Sequence, residues 1–260
     1  MLHHVESGSG RPVLLLHAFP MDSSLWATQR QSLAQGGHRV ITPDLPGFGG
    51  SALAPEPPSL DVMADAVVGL LDELGIERAV VGGLSMGGYV TMALLRRHPQ
   101  RVAAIVLADT KASADTPEAA ANREAVASAV EVAGNAAGIA DGMLANLLGA
   151  TTRESRPDVV ATVRRWIGAQ PAAGVAWAQR AMAARPDSLT DIAAFGGPVL
   201  VLYGAEDTLS PAIDARAMAD AARSGGSATT VVEIPAAGHL TAVEDPDAVS
   251  HALGGWLATL

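Results

Sequence analysis

The chain has 260 residues, 49% hydrophobic and 17% charged, which is enough to bury a full core and too apolar for a disordered protein. Its formal net charge is -10, with Lys111 as the single lysine, which argues against nucleic acid or an anionic membrane surface as a partner. The absence of cysteine removes disulfides, thiol catalysis and cysteine-ligated metals.

In chain order, the opening Met1-Leu2-His3-His4-Val5-Glu6 lacks the basic start and apolar stretch of a signal peptide. The first apolar run, Val13–Leu16, is too short to span a bilayer, so a cytoplasmic protein is expected. Runs rich in Val, Leu and Ile predict strands at Leu2–Val5, Pro12–His17, Arg39–Pro43, Ala79–Leu84, Val102–Ala108, Val199–Tyr203 and Thr229–Ile234. Helical patterns lie between them. The clearest has Leu60, Met63, Ala64, Val67, Leu70, Leu71 and Leu74 at a 3.6-residue period, with Ser59 as N-cap and Gly75 as stop. Alternation of this kind predicts an α/β fold, a doubly wound and mostly parallel sheet covered on both faces.

Residues 111–195 break the alternation. They carry only helical stretches, roughly Glu118–Val132, Ile139–Leu148, Pro157–Ile167 and Pro171–Ala184, punctuated by Gly and Pro. A block too long for one crossover reads as a helical cap inserted over the C-terminal edge of the sheet. The expected division is a core of residues 1–110 and 196–260 with a cap of 111–195.

The chemistry centres on Gly83-Leu84-Ser85-Met86-Gly87, which follows a predicted strand and precedes a helical run. That context marks G-x-S-x-G as a strained turn that lifts a serine nucleophile off a strand end. It also sets the Met86 N–H at a helix N-terminus, where it can bind a developing oxyanion. A serine needs a base and an orienting acid. His239, in Ala236-Ala237-Gly238-His239-Leu240 beyond the last strand, is the candidate base. Asp207, in Gly204-Ala205-Glu206-Asp207 beyond the preceding strand, is the candidate acid, with Asp109 as a lesser one. Glu206 is expected to point away from its neighbour. The turn His17-Ala18-Phe19-Pro20 can supply the Phe19 N–H as second oxyanion donor, with His17 tying the loop together. His98 suits a helix C-terminus, His3, His4, His38 and His251 suit solvent, and no pair has zinc spacing.

Trp26 reads as core. Trp166 and Trp177 are candidates for the substrate pocket, with an apolar lining from Phe19, Met86, Leu209 and Leu240. Arg123, Arg153, Arg156, Arg164, Arg165 and Arg180 could meet a substrate carboxylate, though a solvated face suits most of them.

These motifs, with Asp44-Leu45-Pro46-Gly47-Phe48-Gly49-Gly50-Ser51, span nearly the whole chain, and their order resembles the α/β-hydrolases. Within that superfamily the chain is similar to bacterial carboxylesterases and 3-oxoadipate enol-lactonases. The resemblance implies a cofactor-free and metal-free enzyme that cleaves a small ester or lactone through an acyl-enzyme on Ser85, with no protein partner indicated. It also admits a perhydrolase or haloperoxidase, or a ligand sensor with slow turnover. Aspartate is the nucleophile of the related dehalogenases and epoxide hydrolases, and Ser85 argues against both. Ala18 stands where the family usually has glycine, which puts the backbone of the oxyanion turn in question.

Overall fold

A computed structural model describes residues 1–260. Seven strands form one sheet: β1 (His4–Ser7), β2 (Arg11–Leu16), β3 (His38–Pro43), β4 (Ala79–Leu84), β5 (Val102–Ala108), β6 (Val199–Gly204) and β7 (Thr229–Ile234). Their order is β1-β3-β2-β4-β5-β6-β7, with β1 antiparallel at the edge and every other pairing parallel. The mostly parallel sheet is therefore as the apolar runs predicted. Its first strand lies later than expected: Leu2 is buried ahead of it, and His4, not Leu2, pairs with Pro43.

The side chains explain why these strands are nearly all apolar. Along β2, Val13 and Leu15 belong to one buried cluster, Leu14 and Leu16 to the other. Val80 and Val81, and Leu200 and Val201, divide in the same way. Successive residues point to opposite faces, so a strand covered on both sides has no polar phase. Each such Leu or Val buried from water contributes about 1.5–3 kcal/mol before the entropy of ordering is subtracted.

One face is covered by α2 (Leu60–Glu73), α3 (Met86–Arg97), α9 (Leu189–Phe195) and α10 (Ala212–Ser224), the other by α1 (Ala27–Gln35) and α12 (Pro246–Leu257). Helix α2 follows its expected pattern: the Ser59 side chain caps Asp61 N, and Leu60, Met63, Ala64, Val67, Leu70 and Leu71 are buried. Gly75 closes it at φ 64°, a backbone angle that glycine adopts without strain. No helix is long and apolar enough to cross a membrane.

Between β5 and β6 the chain forms α4 (Pro117–Ala133), α5 (Ala137–Leu147), α6 (Ala150–Ser155), α7 (Pro157–Ala169) and α8 (Ala172–Ala183). Helix α4 packs on α8, and α5 on α7. Helix α9, the last before β6, packs on α3 and α10 and completes the flank of the sheet. The four-residue α11 (Thr241–Glu244) follows β7.

Candidate active site

Ser85 separates β4 from α3, with φ 54° and ψ -111°. A non-glycine residue held there costs of order 1–3 kcal/mol, and the surroundings fix it. Its N–H donates to Ala108 O (2.9 Å), and its carbonyl accepts from Tyr89 N (3.2 Å) and Thr110 Oγ1 (2.9 Å). The flanking glycines make the turn possible. A Cβ at Gly83 would overlap the Gly87 carbonyl, and one at Gly87 would overlap that of Leu16. Met86 opens α3, so its N–H has no carbonyl one turn back within the helix.

Strands β4, β6 and β7 end on the same edge of the sheet, and the loops that follow them bring Ser85, Asp207 and His239 together. His239 Nε2 lies 2.8 Å from Ser85 Oγ, and His239 Nδ1 lies 2.8 Å from Asp207 Oδ2. His239 and Asp207 are buried, whereas Ser85 is partly open to a cavity. Asp207 Oδ1 accepts from Leu209 N (2.8 Å) and Ser210 N (3.1 Å), and Oδ2 also accepts from Ser210 Oγ (2.6 Å). Burial alone would push the Asp207 carboxyl up, but the hydrogen bonds from His239 and Ser210 hold it below its ordinary value. Nδ1–H therefore donates to a carboxylate, and Nε2 is left as the acceptor for the serine proton.

Asp109 lies beyond β5 and faces the same loops without touching His239. Its Oδ1 accepts from Gly204 N (3.1 Å) and its Oδ2 from Thr241 N (3.2 Å) and Thr241 Oγ1. Burial, then the nearby charge of Asp207, raise its carboxyl well above the usual range. Glu206 turns away from Asp207 and accepts from Thr151 N (2.9 Å) at the start of α6.

Phe19 lines the same cavity, and its N–H donates to no group of the protein. Ala18 has no positive φ, so the residue that departs from the family pattern imposes no backbone strain. His17 holds this turn. Its Nδ1 is 2.9 Å from Ala18 O and its Nε2 accepts from Leu45 N (2.9 Å), which fixes one neutral tautomer. Full burial lowers its pKa from the ordinary 6.5, against smaller opposing effects of the Ala18 carbonyl and Asp44. The unfolded chain then takes up a proton below about pH 6.5 that the folded chain refuses, so this stabilisation is complete above that pH and lost as pH falls. His17→Leu is expected to cost about 1–3 kcal/mol by stranding the buried Leu45 N–H. It is also expected to narrow the difference between Tm at pH 7.5 and at pH 5.5. Thermal melts of both proteins at the two pH values check this.

The cavity holds about 520 Å³ and is shared by Ser85, His239, Phe19 and Leu209 with residues of α4, α5 and α8, among them Val126, Met143 and Met182. Three expected lining residues lie elsewhere. Leu240 is fully buried in the core, Trp166 packs half-buried against the same core, and Trp177 is buried with its Nε1 donating to Glu56 O (3.0 Å). The Met86 side chain is likewise in the core, leaving only its N–H for the site. Leu240 lies in the loop before α11 and Trp166 sits at the edge of the buried face of α7, and spacing alone did not distinguish these places from the cavity wall. Of the arginines between β5 and β6, Arg123 lines the cavity, its side chain paired with the buried Asp115 carboxylate and with Gln179 Oε1 (3.0 Å). Arg185 completes that cluster at 2.7 Å from Asp115 and stacks over Tyr89. Arg156, Arg164 and Arg180 pair with surface carboxylates. No group of three or more His, Asp or Glu side chains converges to hold a metal ion.

Comparison with known proteins gives a consistent picture. The family description "alpha/beta hydrolase fold" matches residues 11–246. A thermophilic esterase from Thermogutta terrifontis, solved with malate bound, superposes with a TM-score of 0.94 at 41% identity, covering 99% of this chain and 93% of that one. The enol-lactonase from Burkholderia xenovorans LB400 superposes at 0.87 with 29% identity, covering 99% and 96%. Rat bifunctional epoxide hydrolase 2 is 35% identical over 119 residues, a stretch that is 45% of this chain but only 22% of that longer protein.

Proposed function

The chain belongs to the α/β-hydrolase family, and within it we propose a serine hydrolase that cleaves small carboxylic esters or lactones through an acyl-enzyme on Ser85. The observation that carries this reading is the continuous relay of two 2.8 Å contacts from Ser85 Oγ through His239 to Asp207, at the wall of a cavity. His239 Nε2 accepts the hydroxyl proton as Oγ attacks the carbonyl carbon. The oxyanion of the tetrahedral intermediate accepts from the N–H groups of Met86 and Phe19, each of which is worth about 10²–10³ in rate at such sites. Collapse expels the alkoxide, which takes the proton from His239. Water then gives a proton to His239, attacks the acyl carbon, and releases the acid and free Ser85 Oγ–H. Asp207 holds the imidazole tautomer and stabilises the imidazolium in both halves. Helices α4, α5 and α8 act as a cap that closes the substrate space, and the cavity volume of about 520 Å³ suits a small substrate.

The likeness to an esterase at 41% identity supports the ester reading, and that to an enol-lactonase at 29% supports lactones as a second class. Steady-state hydrolysis of 4-nitrophenyl esters from acetate to decanoate tests it. Multiple turnover with an optimum at short to medium chains is expected, and the optimum sizes the acyl side of the cavity. No turnover of any ester or of simple lactones would overturn the reading and favour ligand sensing.

A further inference from the structure

The geometry points to Glu244 as a positioning residue that sets the alignment of His239 and ties it to the seating of the helical block. The inference rests on the reading of His239 as the base. Glu244 ends α11, five residues after His239, and is buried. Its Oε1 accepts from Gly238 N (2.9 Å) and from Leu240 N (3.1 Å), the two neighbours of His239 in sequence. One oxygen thus ties down the chain on either side of His239. Its Oε2 accepts from Gly149 N (2.8 Å), in the joint between α5 and α6.

A second observation, independent of the carboxylate, shows how closely the two segments meet. A Cβ built on Gly238 would collide with the Gly149 backbone, and one on Gly149 would meet the Gly238 N–H and the Glu206 carboxylate. Backbone lies against backbone with no side chain between. Glu206, which precedes Asp207, grips Thr151 N and Oγ1 two residues further on. The α5–α6 joint therefore reaches the loops of both His239 and Asp207. Leu147, two residues before Gly149, lines the cavity beside Ser85. Pressure on the α5 wall from a bound substrate passes through Gly149 to the same carboxylate that holds His239. A tilt of the imidazole lengthens the 2.8 Å contact with Ser85 Oγ, and misplacement by an ångström at a reacting centre costs on the order of 10²-fold.

The test is Glu244→Gln, because an amide has one acceptor oxygen and must surrender either the Gly149 arm or the Gly238 and Leu240 arm. The expected result is a folded protein by circular dichroism whose kcat falls about 10- to 100-fold with KM within about two-fold. The low-field proton resonance of the His239 Nδ1–H in the hydrogen bond to Asp207 should shift or broaden, a signal that a purely structural role would leave in place. That resonance needs no substrate, so it reads this proposal even if the wild type turned over no ester. Gly149→Ala strikes the joint from the helical side and is expected to give the same kcat-selective loss. Unchanged kcat and an unchanged resonance in Glu244→Gln would overturn the proposal. If that variant did not fold, wild-type kcat in Gly149→Ala would overturn it equally.

Discussion

Ser85→Ala is expected to lower kcat/KM for a 4-nitrophenyl ester by about 10⁴-fold or more, with the fold intact. The substitution removes one oxygen from a residue that is already partly open to the cavity, and the His239 Nε2 that loses its partner lines the same cavity, where water can replace it. The backbone hydrogen bonds that fix the turn, from Ser85 N to Ala108 O and from Thr110 Oγ1 to Ser85 O, do not involve the lost hydroxyl. Alanine must still adopt φ 54°, as serine does, and Tm should change little. On the proposed mechanism, what disappears is the nucleophile, while the N–H groups of Met86 and Phe19 continue to polarise a bound carbonyl. A residual rate above the uncatalysed one is therefore consistent with the mechanism. Kinetics and melting curves on the two proteins separate lost chemistry from lost structure.

Asp207→Asn is expected to cost a comparable factor, on the order of 10⁴ in kcat. The reason lies in how the side chain is held. Oδ1 accepts from two backbone N–H groups, Leu209 N and Ser210 N, so the amide oxygen of an asparagine must take that position. Its NH₂ then occupies the place of Oδ2, facing His239 Nδ1 at 2.8 Å. A donor there demands an unprotonated Nδ1 and forces the ring proton onto Nε2. The imidazole then presents N–H, not a lone pair, to Ser85. Since KM depends on the cavity and not on this tautomer, it should stay within a few-fold. A loss under ten-fold would show that Asp207 does not set the tautomer, with Asp109 the nearest alternative carboxyl. The structure argues against that exchange, because the Asp109 oxygens are already engaged by Gly204 and Thr241.

The sequence carried the sheet because residues covered on both faces leave apolar runs of strand length, and it pointed to Ser85, Asp207 and His239 because each follows such a run at one edge. Asp207 and His239 were legible from their position after β6 and β7 alone. The cavity wall was not. Trp177 and Trp166 lie on helices of the inserted block, and an aromatic at a helical spacing reads the same whether it faces a neighbouring helix or a cavity. Only the packing of α4 on α8 and of α5 on α7 decides which. The residues that support the site were equally hidden. Ser210 and Glu244 lie three and five residues after triad members, but nothing in their spacing says that one touches Asp207 and the other grips both sides of His239. Those contacts arise from loops that meet across the sheet edge. The packing of α9 was hidden for a related reason: it is helical like its predecessors, and its partners α3 and α10 are remote in sequence.

The most direct measurement of the central claim is mass spectrometry of the protein after brief exposure to a fluorophosphonate, which modifies a serine only when an adjacent base activates it. One phosphonyl group per chain is expected, on the peptide containing Ser85, absent from Ser85→Ala and formed far more slowly in Asp207→Asn. An unlabelled wild type, or a label on any other residue together with ester turnover that survives Ser85→Ala, would contradict it.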